Sequence, residues 1–238
     1  MFTVALVGPD GAGKTTISRA IEHRLPLPIK NVYMGVNLNS SNHVLFTTRL
    51  YQFIKRVCGA RSDESGPPLS NQPRPHPKNK IKRFGFALKS NLYTAGLISE
   101  EWFRQVLAWY FRGGGRNIVL FDRHFFCDYY ASHIANNRRA LPLSRRVHGL
   151  MLEHLYPKPD LVIYLDAPAE VLFARKGEGT LKSLEQQRQD YLRLRAVIKH
   201  FAVVDANKPA EDVARGVVTL INEFYDARVC DKVKVYGK

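Results

Sequence analysis

Cysteine, acidic residues and long apolar runs are all scarce in this chain of 238 residues. Its three cysteines, Cys58, Cys127 and Cys230, stand far apart, which excludes a paired disulfide framework and a Cys-x-x-Cys metal site. Free thiols in a reducing compartment are therefore expected. No apolar stretch approaches the roughly 18 residues that a membrane span needs. A strand-like run already begins at Phe2 without a signal or transit pattern, so the expected location is cytoplasmic. Acidic residues number 21 against 36 lysines and arginines, a formal charge of +15. Such an excess predicts anionic partners, whether phosphorylated metabolites, nucleic acid or an acidic lipid surface. Internal repeats are absent, and no histidine or cysteine spacing suits a structural metal. What remains is ordinary: 45% hydrophobic and 11% aromatic residues predict one α/β domain over residues 1–238.

The most informative stretch is GPDGAGKTT, Gly8 to Thr16. It satisfies the phosphate-loop pattern of glycine, four residues, glycine, lysine and serine or threonine. The apolar run Phe2 to Val7 precedes it and the helically spaced Ile17 to Leu25 follows, so strand, loop and helix stand in the required order. In such a loop Gly8, Gly11 and Gly13 let the backbone curl until its N–H groups face phosphate oxygens at the positive end of a helix. Lys14 would reach the outer phosphates and Thr15 would offer its hydroxyl to magnesium. Asp10, Ala12 and Thr16 complete the expected phosphate-binding set.

Strands are predicted at Phe2–Val7, Ile29–Met34, Asn117–Phe121, Leu161–Leu165 and Phe201–Val204, with a first helix over Lys14–Leu25. Continuous apolar strands such as NIVLF and LVIYL, separated by helices, predict a parallel sheet covered on both faces. Ligands in that architecture gather at the carboxyl ends of the strands. Residues 37–80 break the pattern. Val44 to Val57 could form an amphipathic helix suited to a core or to a membrane surface, and Gly59 to Asn79 carries five prolines, which predicts a loop. Ile81 to Phe111 then reads as one long core helix, with a break at Gly96 in prospect and a stop at the glycines 113–115.

Two further elements carry chemistry. Val119 to His124, VLFDRH, is a core strand ending in an acid and an arginine. Asp122 would hold magnesium through water, and Arg123 would point into the cleft; the alternative is a strand-end ion pair. After the strand at Leu161 comes a segment in which Arg175, Lys176 and Lys182 neighbour two glycines. It reads either as a lid over residues 175–184, bringing cations onto a phosphoryl group, or as a solvated helix connection.

Taken together, GPDGAGKTT, the DRH triplet, the arginine-bearing lid with Glu185, and VVDANKPAEDV resemble thymidylate kinase and its relatives among the nucleoside monophosphate kinases. The resemblance runs over Phe2 to Leu25 and Arg116 to Phe224. It implies a P-loop NTPase fold, with a five-stranded parallel sheet flanked by helices, a helical lid and an inserted basic, proline-rich segment. It also implies magnesium-dependent transfer of the ATP γ-phosphoryl group to a small anionic acceptor. By the same resemblance Lys14, Asp122, Arg123 and Arg175 are the catalytic set, Thr15 and Asp122 organise magnesium, and Ala206 to Pro209, with Lys208, pack against adenine. Such kinases are often dimers, and the exposed part of the Ile81–Phe111 helix is the expected meeting place.

The acceptor side departs from that pattern. An arginine that helps to recognise thymine is expected near Ala95 to Glu100, where the chain reads AGLISE; Arg104 is the nearest arginine. Phe125, Phe126, Tyr129, Tyr130 and Tyr93 could line an aromatic acceptor pocket, although core packing is the better reading. Asp128 either accepts a proton from an acceptor hydroxyl or caps local structure. Basic residues between Arg74 and Lys89 suit an anionic acceptor, an acidic membrane or nucleic acid, with a solvated loop preferred. The competing functions are accordingly a nucleotide-dependent nucleic-acid-binding or regulatory protein, and a kinase of a lipid-linked or sugar acceptor.

Overall fold

The computed structural model describes residues 1–35, 80–114, 117–131 and 143–236, with backbone alone at 80–93, 143–145 and 231–236. Apolar and β-branched residues dominate five strands: β1 (Phe2–Val7), β2 (Ile29–Tyr33), β3 (Ile118–Asp122), β4 (Leu161–Asp166) and β5 (Phe201–Asp205). They form one parallel sheet in the order β2-β3-β1-β4-β5. This is the P-loop NTPase arrangement, with β1 at its centre. Strands β3, β4 and β5 each run one residue past their expected ends, to Asp122, Asp166 and Asp205. The ladder pairs Leu6 with Asp122 and Asp166 with Asp205, so these carboxylates line one edge of the sheet.

All six residues of β1 are buried, and their alternation divides the core. Phe2, Val4 and Leu6 pack with Ile17 and Ile21 of α1 (Lys14–Ile21) and with Val217 and Ile221 of the last helix, which spans Ala210–Tyr236. Ala5 and Val7 face the opposite layer, with Phe121, Phe125, Phe126, Tyr164 and Tyr191. Helix α1 ends four residues before the expected Leu25, and Pro26 keeps the following turn from resuming it by disfavouring helical backbone at Leu25. Helix α2 (Lys80–Gly113) runs unbroken through Gly96. A single glycine lowers helix stability by about 1 kcal/mol, and packing further along, such as Trp102 edge-on to Tyr156 at 5.9 Å, outweighs it. The amphipathic helix expected at Val44–Val57, the proline-rich loop and Cys58 lie outside the described residues.

Helices α3 (Phe125–Tyr129) and α4 (Leu143–His154) follow β3, and α5 (Ala169–Lys176) and α6 (Leu181–Leu192) follow β4. Helix α7 is the Ala210–Tyr236 segment. Asp160 ties its outer end to the first strand: it accepts from Thr3 N at 2.8 Å, Thr3 Oγ1 at 3.0 Å and Arg228 Nη2 at 2.6 Å. Burial alone would raise the Asp160 pKa, but these donors bring it below the ordinary carboxylate range. Among the described residues no helix is long and apolar enough to cross a membrane.

Candidate functional site

The loop after β1 closes because two of its glycines lie against backbone. A Cβ at Gly8 would sit 2.7 Å from Leu165 O, and one at Gly11 would sit 2.8 Å from Leu172 O with φ at +90°. Gly13, also left-handed, opens α1, so the first N–H groups of that helix face the cleft. Lys14 turns back over the loop, its Nζ donating to Gly8 O at 2.7 Å and Pro9 O at 2.8 Å. Its side chain is only 5% exposed. Burial, followed by repulsion from Arg123, lowers its pKa from 10.5 to about 8. This is a buried cation held by loop carbonyls at the place where phosphate oxygens would arrive.

Asp122 and Thr15, far apart in sequence, meet because β1 and β3 are neighbours in register. Thr15 Oγ1 donates to Asp122 Oδ2 at 2.7 Å. The other carboxylate oxygen, Asp122 Oδ1, is buried and has no hydrogen-bond partner among the described residues. A magnesium ion keeps most of its water and takes one or two protein oxygens. A hydroxyl beside a carboxylate with an unused buried oxygen fits that donor set. Among the described residues no group of three or more His, Cys, Asp or Glu side chains suits a metal, which a largely hydrated cation does not require.

Arg123 follows with φ at +71°, a conformation that strains a residue bearing a Cβ by about 1–2 kcal/mol. The kink is held by its own N–H donating to Leu6 O at 3.1 Å, and it swings the guanidinium into the cleft. There it hydrogen-bonds Asp10. Lys14 and Lys176 also flank Asp10, at 3.9 Å and 3.6 Å. Burial works the other way, but Arg123, Lys14 and Lys176 together pull the Asp10 pKa down to about 2. For Arg123 too burial opposes the charge, and Asp128 and Asp10 more than restore it.

On the outer side, Arg175 Nη1 donates to Ala206 O at 3.0 Å, tying the end of α5 to the loop after β5. Lys208 and Thr16 are exposed and line the same cleft of about 550 Å³ with the loop, Arg123, Arg175 and Lys176. Lys182 stands exposed on α6. The short link between α5 and α6 has left-handed glycines at 177 and 179, and Thr180 with Ser183 forms a capping box that starts α6. The sequence expectations for Gly8, Asp10, Gly11, Ala12, Gly13, Lys14, Thr15, Thr16, Asp122, Arg123, Arg175 and Lys208 thus fall on one wall-to-wall arrangement of loop, strand ends and α5.

The acceptor side differs in detail from the sequence reading. Phe125, Phe126 and Tyr129 are buried in the core, as the preferred reading held, and Tyr93 lies among residues described by backbone alone. Asp128 accepts from Tyr191 Oη at 2.8 Å; Tyr191 stacks on Tyr164 at 5.7 Å. Arg104 is fully buried and joined to Glu100 and to backbone at the end of β2. Sequence reasoning missed Glu100 and Arg104 as a pair, although a Glu and an Arg at i and i+4 on a helix is the signal that finds them. It also missed Arg188, whose Nε and Nη2 grip Asp166 at 2.8 Å and 2.9 Å. Nothing local marks that contact, because the partners lie on separate elements.

This loop, sheet order and acid-bearing strand edge define a P-loop NTPase fold. The chain is similar to curated thymidylate kinases. A probable thymidylate kinase 1 of Saccharolobus solfataricus is 30% identical over 114 residues, 45% of this chain and 56% of that protein. A probable thymidylate kinase of Archaeoglobus fulgidus is 34% identical over 117 residues, 46% and 56%. The chain therefore spans about half the length of these two relatives. A thymidylate kinase of Leuconostoc mesenteroides is 24% identical over 235 residues, 94% of this chain and 96% of that protein. A solved deoxyadenosine kinase of M. mycoides matches with TM-score 0.48 and 19% identity over 93% of this chain and 99% of its own. No family model matches the sequence.

Proposed function

We propose that this chain is a magnesium-dependent phosphotransferase that moves the γ-phosphoryl group of ATP to a nucleoside monophosphate. The observation that carries the proposal is the Thr15–Asp122 contact at 2.7 Å with Asp122 Oδ1 left unpartnered, set between the buried Lys14 and the inward-turned Arg123. The similarity to thymidylate kinases supports the choice of donor and acceptor class.

In this reading the loop N–H groups and the start of α1 hold the β- and γ-phosphates of ATP. Lys14 leaves Gly8 O and Pro9 O for the phosphate oxygens, and Arg175 lies at the mouth of the adenine side. Thr15 and Asp122 would hold magnesium, which would supply positive charge to neutralise the phosphates. Arg123 exchanges Asp10 for the phosphate of the acceptor, so one anion replaces another beside the same guanidinium. Transfer needs no covalent protein intermediate: the residues position two phosphates in line and neutralise the spreading charge. Closure over the 177–180 link would bring Lys176 inward and exclude water.

The test is ADP release from MgATP by the purified protein across dTMP, the other nucleoside monophosphates, nucleosides, sugars, sugar phosphates and soluble lipid-headgroup analogues. Stimulation by one or more nucleoside monophosphates is expected. Stimulation by none of them, with a sugar, nucleoside or headgroup active instead, would refute the acceptor class, and silence across the panel would refute the kinase.

A further inference from the structure

Arg104 occupies a place that no part of the transfer reading uses. It is a fully buried arginine with 0% exposure on α2. Its Nε and Nη2 donate to Glu100 Oε1 at 3.2 Å and 3.1 Å. Its Nη1 spans the gap to β2, donating to Gly35 O at 2.9 Å and Tyr33 O at 3.2 Å. The guanidinium carbon also lies 5.6 Å from the centre of the Phe125 ring, and Phe125 opens the helix directly after Arg123 and His124. One planar fork therefore joins α2, the end of β2 and the start of α3.

What lies on the far side of Gly35 gives the fork a purpose. A Cβ at Gly35 would meet Tyr33 Oη at 2.4 Å, Tyr33 Cζ at 2.5 Å and Arg123 Cδ at 2.6 Å. Tyr33 and the stem of Arg123 thus lie directly on the Gly35 backbone, which serves as a shelf. Arg123 hangs from a left-handed backbone at +71° and has a long flexible stem, so its guanidinium is aimed only as well as the surface beneath it is fixed. Arg104 fixes that surface from below.

We propose that Arg104 is a positioning residue for Arg123, acting through the backbone of Gly35, and does not read the acceptor. With four donor contacts made and no exposure, it presents nothing to the cleft. Lysine cannot replace it: a point charge on a flexible stem cannot hold Glu100, Gly35 and Tyr33 together. The inference rests on the phosphotransfer reading for its kinetic test, and on geometry alone for its spectroscopic one.

The experiment compares Arg104→Lys and Gly35→Ala with the parent chain. The first keeps the buried charge opposite Glu100; the second keeps Arg104 and crowds Tyr33 and Arg123 on the shelf directly, which calibrates how far a displaced Arg123 changes each readout. In steady-state turnover with dTMP and with dAMP, each variant is expected to raise the acceptor KM about tenfold or more, by the same factor for both bases. The KM for MgATP should stay within about twofold. The Arg123 Nε–Hε NMR resonance, assigned by its loss in Arg123→Lys, is expected to shift in both variants. An effect on one base alone would make Arg104 a reader and overturn the proposal, as would an unchanged acceptor KM in Arg104→Lys. Should the parent chain turn over no nucleoside monophosphate, the phosphotransfer reading fails on its own, and an unchanged Arg123 resonance would then overturn the positioning role. If Arg104→Lys does not fold, Glu100→Gln, which loosens the anchor of Arg104 on α2 without touching Gly35, decides by the same two readouts.

Discussion

Nucleotide binding should draw a proton from solution, and Lys14 sets how much. In the ligand-free fold burial and then Arg123 bring its pKa from 10.5 to about 8. That difference disfavours the charged form by about 3 kcal/mol, at about 1.4 kcal/mol per tenfold change in the equilibrium. The unfolded chain binds more protons than the folded one between those two values, so this lysine's penalty is whole below pH 8 and is relieved as pH rises towards 10.5. Phosphate oxygens reverse the balance, because they restore a partner to the ammonium and raise its pKa again. At pH 8.5 a group of pKa 8 is about three-quarters deprotonated, so binding should take up about 0.8 proton, against almost none at pH 6.5. Calorimetric titration with ADP in two buffers of different ionisation enthalpy measures this number directly. Lys14→Arg is the control: its side chain stays charged throughout, so what pH dependence it keeps belongs to the ADP phosphate, whose own pKa is about 6, and the Lys14 share is the difference from the parent chain. Equal proton uptake at pH 6.5 and 8.5 in the parent chain, or the same uptake in Lys14→Arg, would refute the reasoning.

Other residues give sharper single outcomes. Asp122→Asn keeps the shape that meets Thr15 but removes the charge, and transfer should fall by about 10²–10³-fold, with a higher magnesium requirement in a titration of rate against MgCl2 and a melting temperature close to the parent's. Gly11→Ala places a Cβ 2.8 Å from Leu172 O at a left-handed φ; about 1–3 kcal/mol of stability should be lost, read by urea unfolding, together with ADP affinity. Asp160→Asn should lower stability by about 1–3 kcal/mol at pH 7 by weakening the grip on Thr3 and Arg228. The folded pKa of Asp160 is depressed, so its contribution is whole above about pH 4 and is lost as pH falls through the lower folded value. Urea midpoints for parent and variant should therefore converge between pH 7 and pH 3, and parallel curves would count against it.

Local pattern made much of this legible. The phosphate loop, the five strands and the acid–arginine step after β3 each rest on neighbours in sequence, and each stands within a few residues of its expected place. The strand ends fell one residue short because an aspartate reads as a loop residue, whereas the parallel ladder carries Asp122 and Asp166 with it. Gly96 reads as a break because propensity is local, while the contacts that carry α2 past it are tertiary. Strand order, the meeting of Thr15 with Asp122 over 107 positions, and the Asp166–Arg188 grip are products of topology, which no single window contains. Arg104 was visible as a displaced arginine, but its role became visible only once β2 and α2 were side by side.

The order of the strands has a last consequence, for how such a molecule can change. The phosphate loop hangs on β1, which is flanked by β3 and β4 and buried along its whole length, so nearly any substitution there is felt by two sheet neighbours and both core layers. The Gly35 shelf leaves β2, which among the described residues is an edge strand paired with β3 alone, with Lys30 exposed. Substitutions at that margin disturb fewer neighbours. Evolution can therefore redraw that margin at less risk to folding, while the phosphate loop stays locked into the middle of the sheet.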